Sequence, residues 1–180
     1  MEQRMKEHTE KKPTVLYTQL IGYIKEDTIK EVVKDINRAN NEADIESVQL
    51  TMISEGGNLY FTFALYDCIK ASKKPVDIVV SGLCASAAVT ILQAGRKRIS
   101  HLHTTFMIHP SNMVMDKNSF PNFLEIVEQA KVNDELNIQL IIKRCGMSKE
   151  EYMKMYNPRK YLTPEQALHF GPHGLIDIIQ

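Results

Sequence analysis

Three short stretches of this 180-residue chain carry residue types suited to acyl transfer. In Gly82-Leu83-Cys84-Ala85-Ser86-Ala87-Ala88, one serine sits among small neighbours where an apolar run passes into a helical pattern. Small neighbours leave a peptide carbonyl room to reach the hydroxyl. A helix start leaves backbone N–H groups unpaired and carries positive partial charge, so the Ala87 amide is a natural oxyanion donor. A serine hydroxyl is a weak nucleophile and needs a base. His109 lies 23 residues further on, closing the apolar run Met107-Ile108-His109-Pro110. Histidine titrates where proton transfer near neutral pH needs it to. Gly56-Gly57 follows another apolar run, and glycine lets backbone approach a ligand closely, so an amide exposed in this turn could also face an oxyanion. Each stretch alone has an ordinary explanation as turn, cap or strand end. Their order and spacing are the signal.

Elements must bring these residues together. Apolar runs predict strands over residues 14–22, 48–53, 76–80, 98–100, 105–109 and 175–179. Ser81-Gly82 reads as a turn closing the third. Helical spacing predicts helices over 26–39, from Asn58 to about Ser72, from Ser86 to about Gln93 with Gly95 as its C-cap, and over 121–145 with Gly146 ending it. Asn58 and Ser148 are candidate N-caps, and Thr163-Pro164-Glu165 starts a last helix. Strands alternating with helices, several of them continuously apolar, predict an α/β fold with a largely parallel sheet. The whole chain, 1–180, reads as one domain behind a polar, flexible arm over 1–13.

Composition narrows the function classes. Lys plus Arg and Asp plus Glu are 22 each, so the chain is neutral, which argues against nucleic acid or acidic membrane as a partner. Cys68, Cys84 and Cys145 are odd in number and scattered, which fits reduced thiols in a cytoplasmic compartment. His101 and His103 form an H-x-H with no local carboxylate or cysteine and read as a solvated turn, so no metal or cofactor is expected.

Taken together, the motifs resemble the proteolytic subunit of the ATP-dependent Clp protease over most of the chain. Ile53-Ser54-Glu55-Gly56-Gly57 followed by Ala64-Leu65-Tyr66-Asp67 is similar to that family's Gly-Gly turn and following helix. Its nucleophile motif is matched from Gly82 to Ala88 with Cys84 for one alanine, and its histidine motif at Met107-Ile108-His109-Pro110 without the family's Gln. Its late motif is matched by Tyr161-Leu162-Thr163-Pro164-Glu165-Gln166-Ala167, Phe170-Gly171 and Gly174-Leu175-Ile176-Asp177. The resemblance implies a crotonase-like ββα spiral with a protruding handle helix over about residues 120–146. It implies Ser86 as nucleophile, His109 as general base and then acid, and the Gly57 and Ala87 amides as the oxyanion hole. It implies homo-oligomers, seven-membered rings stacked in pairs, that cleave peptides or unfolded proteins, with an ATP-dependent unfoldase as partner.

Several positions depart from the pattern. The family's triad Asp falls on Arg159, whose guanidinium cannot accept the imidazole N–H. Nearby Asn157 has a carbonyl that could orient His109, fixing the tautomer without stabilising imidazolium charge, and a Ser-His dyad is the alternative. Glu55 replaces a proline, residues 111–116 replace a Gly-rich strand that binds substrate and pairs rings, and Pro172-His173 is extra. Gln49 and Thr51 replace docking aromatics, which argues against a standard unfoldase and leaves a divergent one open. Three functions follow, in order of weight: a serine endopeptidase subunit, a catalytically weak or inactive ring subunit beside an active paralogue, and a crotonase-type acyl-thioester enzyme.

Overall fold

The computed structural model of the chain describes residues 14–110, 123–156 and 159–180. The arm over 1–13, residues 111–116, Asn157 and Pro158 lie outside them. Strands β1 (Val15–Ile21), β2 (Ser47–Ser54), β3 (Val76–Ala85) and β4 (Arg98–Ser100) pair in parallel and in order, with β7 (Ile178–Ile179) beyond β4. β5 (Thr105–Ile108) pairs in parallel with the end of β3, and β6 (Lys160–Leu162) pairs antiparallel with β5. The sheet is thus largely parallel, as the apolar runs require.

Burial follows sequence pattern. β2 alternates and buries Val48, Leu50, Met52 and Ser54, whereas β3 buries Ile78, Val79 and Val80 in succession because both of its faces are covered. Helix α1 (Glu26–Asn41) lays Ile29, Val32, Ile36 and Ala39 against the sheet. Each aliphatic side chain buried this way stabilises the fold by about 1.5–3 kcal/mol. α2 (Leu59–Ala71) packs between α1 and α3 (Ala87–Leu92), which is buried on every side. Asn58 caps α2 by accepting from the Tyr60 and Phe61 amides.

Ser81-Gly82 is not the expected turn. β3 runs through it to Ala85, because Gly82 adopts φ +64°, bends the strand, and hands it from one neighbour to another. Val80 is paired with Ser100 of β4, and Leu83 with Thr105 of β5. Gly95 is not a left-handed cap either. α3 ends at Leu92, and a Cβ at Gly95 would stand 3.0 Å from the Ile78 side chain, so close packing requires the glycine. The closing strand is shorter than its apolar run, since Leu175 and Ile176 are buried in a turn.

α4 (Phe123–Cys145) changes character along its length. No residue from 123 to 136 is buried, while Asn137, Ile138, Ile141, Ile142 and Cys145 are. Its C-terminal half is fastened to α3 by Thr90 Oγ1, which donates to Asn137 Oδ1 at 2.5 Å. Gly146 at φ +70° ends it, as expected, and α5 (Lys149–Tyr156) follows with Ser148 and Glu151 in reciprocal capping bonds. α6 (Pro164–Leu168) has the same device in Thr163 and Gln166.

Arg98 is the largest fully buried side chain and clamps the C-terminal segment. It donates to Asp177, to Gln93 Oε1, and to the Gly174 and His173 carbonyls at 2.5–3.2 Å. The extra Pro172-His173 is thereby stitched in, for His173 N–H also donates to the Cys145 carbonyl at the end of α4. Burial alone would raise the Asp177 carboxyl, but the hydrogen bonds from Arg98 hold it below the usual carboxylate range.

Candidate active site

Strand register brings the serine to the histidine. Ala85 of β3 is paired with Met107 of β5, so each strand delivers its next residues to the same end of the sheet. The Ser86 amide donates to the Met107 carbonyl at 2.7 Å. The Ser86 hydroxyl and His109 Nε2 then meet at 2.8 Å. Ser86 has φ +55° and ψ −127°, a left-handed geometry that no other non-glycine among the described residues adopts. Such a conformation costs roughly 1–3 kcal/mol and is characteristic of a nucleophile presented on a sharp strand-to-helix turn.

The Gly-Gly turn is built against that serine. A Cβ on Gly56 would stand 2.7 Å from Ser86 Cβ and 2.8 Å from the Ala85 carbonyl. A Cβ on Gly57 would strike the Ile24 backbone at 2.4 Å. Ile24 holds the turn from one side, its N–H donating to Gly56 O at 2.8 Å and its carbonyl accepting from Asn58 N at 3.0 Å. This bridge leaves the Gly57 N–H on the opposite edge. Ser54 Oγ steadies the turn by accepting from Gly56 N at 3.1 Å. Gly57 and Ala87 both line a cavity of about 600 Å³ shared with Ser86 and His109. Two amides and a hydroxyl around one cavity could hold a tetrahedral oxyanion.

His109 is half-buried, and burial pushes its pKa below the ordinary value. The Arg159 cation pushes it further down, while a hydrogen bond to the Pro110 carbonyl and the charge of Asp134 act the other way. With Nε2 on the Ser86 hydroxyl, a base toward Ser86 requires the tautomer that carries its proton on Nδ1. Arg159 is exposed and acts on the histidine through its charge; Asn157, the candidate orienter, lies outside the described residues.

The cavity wall opposite the serine was not anticipated from sequence. It is made by Asn133, Asn137 and Ile141 of α4 with Tyr152 and Tyr156 of α5. The two tyrosine rings lie 5.1 Å apart, and Tyr156 Oη donates to Asp134 Oδ1 at 2.6 Å. An Asn137 buried among isoleucines was the available hint, because a buried amide implies a partner. Elsewhere, Cys84 is buried beneath the site and its thiol is pushed up by burial, which leaves it a packing residue. All of Cys68, Cys84 and Cys145 are free thiols. His101 and His103 are exposed, and among the described residues no group of three His, Cys, Asp or Glu could hold a metal ion. Among them, too, no helix is long and apolar enough to cross a membrane.

A parallel α/β spiral with a serine and a histidine facing one cavity defines the class of crotonase-like Clp peptidase folds. The family model for Clp protease matches residues 5–180, so the chain belongs to the Clp protease family. It is 30% identical over 141 residues to the ATP-dependent Clp protease proteolytic subunit 4, chloroplastic, of Arabidopsis thaliana, covering 73% of this chain and 46% of that protein. It therefore spans about half the length of that relative. It is 28% identical over 162 residues to the proteolytic subunit of Mesostigma viride, covering 87% of this chain and 70% of the relative. A ClpP1 mutant from Listeria monocytogenes has the same fold, with a TM-score of 0.79 at 24% identity over 91% of this chain and 90% of that one.

Proposed function

We propose that the chain is a serine endopeptidase subunit of a self-compartmentalised Clp-type protease, acting on peptides or unfolded proteins. The observation that carries this reading is the 2.8 Å contact between His109 Nε2 and a Ser86 hydroxyl held in left-handed geometry. His109 takes the hydroxyl proton as Ser86 Oγ bonds to the substrate carbonyl carbon. The carbonyl electron pair moves onto oxygen, toward the Gly57 and Ala87 amides. The proton then passes from His109 to the leaving amine as the C–N bond breaks and the acyl-enzyme forms. Water reverses these roles and frees the acid.

Family membership supports assembly into heptameric rings, paired as a tetradecamer, with a divergent unfoldase where Gln49 and Thr51 are only half-buried on β2. Free thiols support a cytoplasmic setting. The Arg159 cation, which acts against charge on His109, favours a second reading, a weak or inactive ring subunit working with an active paralogue. Intact mass after fluorophosphonate treatment separates the two. A single adduct, lost in Ser86→Ala and in His109→Ala, is the expected result. A folded, assembled protein without adduct would leave the structural reading.

A further inference from the structure

Asn133 and Asn137 stand one turn apart on α4, and both line the cavity across from Ser86. Asn137 is only 7% exposed, so each polar atom of its carboxamide needs a partner or open space. Thr90 Oγ1 meets its Oδ1 at 2.5 Å. That spacing belongs to an O–H···O bond and is too short for N–H···O. The carbonyl oxygen therefore faces Thr90, and the amide nitrogen is turned away from α3. No described residue accepts from Asn137 Nδ2. Among the described residues, the side-chain polar atoms sealed from water without a partner are Arg144 Nε and Tyr152 Oη. The Asn137 nitrogen is not one of them, so it reaches open space, and the space this residue lines is the cavity. Asn133 repeats the arrangement, its Oδ1 taken by Gln129 Nε2 at 3.0 Å. Around this donor the lining is apolar, from Ile108, Ile141 and the two tyrosine rings. Glu55 is the one carboxylate in the described lining, which holds no lysine or arginine.

We infer that Asn137 Nδ2 is a specificity-determining donor, and that this cavity selects a neutral carboxamide side chain, such as that of glutamine, on the residue whose carbonyl Ser86 attacks. The inference rests on the serine peptidase reading. Ala87, an oxyanion donor, opens α3, and Thr90, which holds Asn137, lies one turn along the same helix. For a carbonyl seated at the Ala87 amide, the side chain nearest Asn137 is that of its own residue. Ile108 and Ile141 cover the methylene stem, and Asn137 donates to the carboxamide oxygen. Leucine buries a similar stem but strips water from Nδ2 and returns no hydrogen bond, a loss of roughly tenfold. Glutamate brings an acceptor, but its charge meets Glu55 and no cation.

Two measurements on the assembled full chain test it. The first is kcat/KM for fluorogenic peptides that differ only in the residue bearing the reporter. Glutamine is expected ahead of leucine by roughly tenfold, with glutamate last. The second needs no catalysis: fluorescence anisotropy of peptides ending in the same residues, bound to Ser86→Ala, with the same order expected in Kd. Asn137→Leu removes the donor at similar volume and should abolish or reverse the glutamine-to-leucine ratio. Where that variant fails to fold because Thr90 loses its acceptor, Asn137→Asp keeps an oxygen for Thr90 and replaces the donor alone, with the same expected loss. A ratio measured within one protein is not moved by a general loss of folded material. Equal treatment of glutamine and leucine by the wild type overturns the inference, as does a glutamine preference that survives in the folded Asn137 variants. Fluorophosphonate labelling of Ser86 with no such preference leaves the peptidase reading in place and ends this inference alone. Glutamine-selective binding with neither cleavage nor labelling supports the role of Asn137 and ends the peptidase reading.

Discussion

His109 has two sides, and they are built by different rules. Toward Ser86 every contact is backbone-determined: strand register sets the serine, Gly56 abuts it, and Ile24 braces the turn. Little at Gly56 or Gly57 can change without collision. Across the cavity the wall is made by side chains from α4 and α5, with Tyr156 tied to Asp134. Side chains can be exchanged while the backbone stays. A site can thus hold its nucleophile rigidly and still redistribute the charge that tunes the base.

The largest expected effects lie on the rigid side. Ser86→Ala or His109→Ala removes all fluorophosphonate labelling in intact-mass measurement. Gly56→Ala forces a Cβ to within 2.7 Å of Ser86 Cβ, and a shift of about 1 Å at the hydroxyl should slow labelling by roughly a hundredfold. Survival of near-normal labelling in that variant would break the comparison, because the turn would then be as adaptable as the other side.

Arg159→Ala tests the adaptable side. Removing the cation raises the His109 pKa, so the rising limb of the rate against pH moves to higher pH, while the maximal rate changes by less than about tenfold. A loss as deep as that of Gly56→Ala would mean that Arg159 holds backbone and is no mere charge. Smallest of all is Lys149→Ala. Lys149 is ion-paired with Glu135 on the solvent side of α4 and α5, and exposed pairs contribute little. Labelling and melting temperature should both stay at wild-type values, which calorimetry and the same labelling assay will read.

What was legible in the sequence divides along the same line. Ser86, His109 and the Gly-Gly turn could be read because backbone geometry demands particular residue types at fixed spacing. The α/β fold with its largely parallel sheet followed from apolar runs alternating with helical patterns, and the spiral from the family resemblance. The partner switch within β3 was hidden, since Ser81-Gly82 has the composition of a turn whether the strand ends or bends there. Asp134 and Tyr156 escaped for another reason. They lie 22 residues apart on two helices, and neither has a motif. Nothing local to the short strand 98–100 marks Arg98 for burial, and its carboxylate partner, Asp177, comes 79 residues later.

That separation has a consequence for biogenesis. Arg98 is 2% exposed, and its carboxylate partner is Asp177, 79 residues later. During synthesis Arg98 can gain this partner only after 79 further residues have been added. A product cut short before Asp177 keeps a guanidinium with no anion to go inside with, at a cost of about 3–5 kcal/mol. The clamp thus makes closure of the sheet edge at β4 depend on residues 173–177.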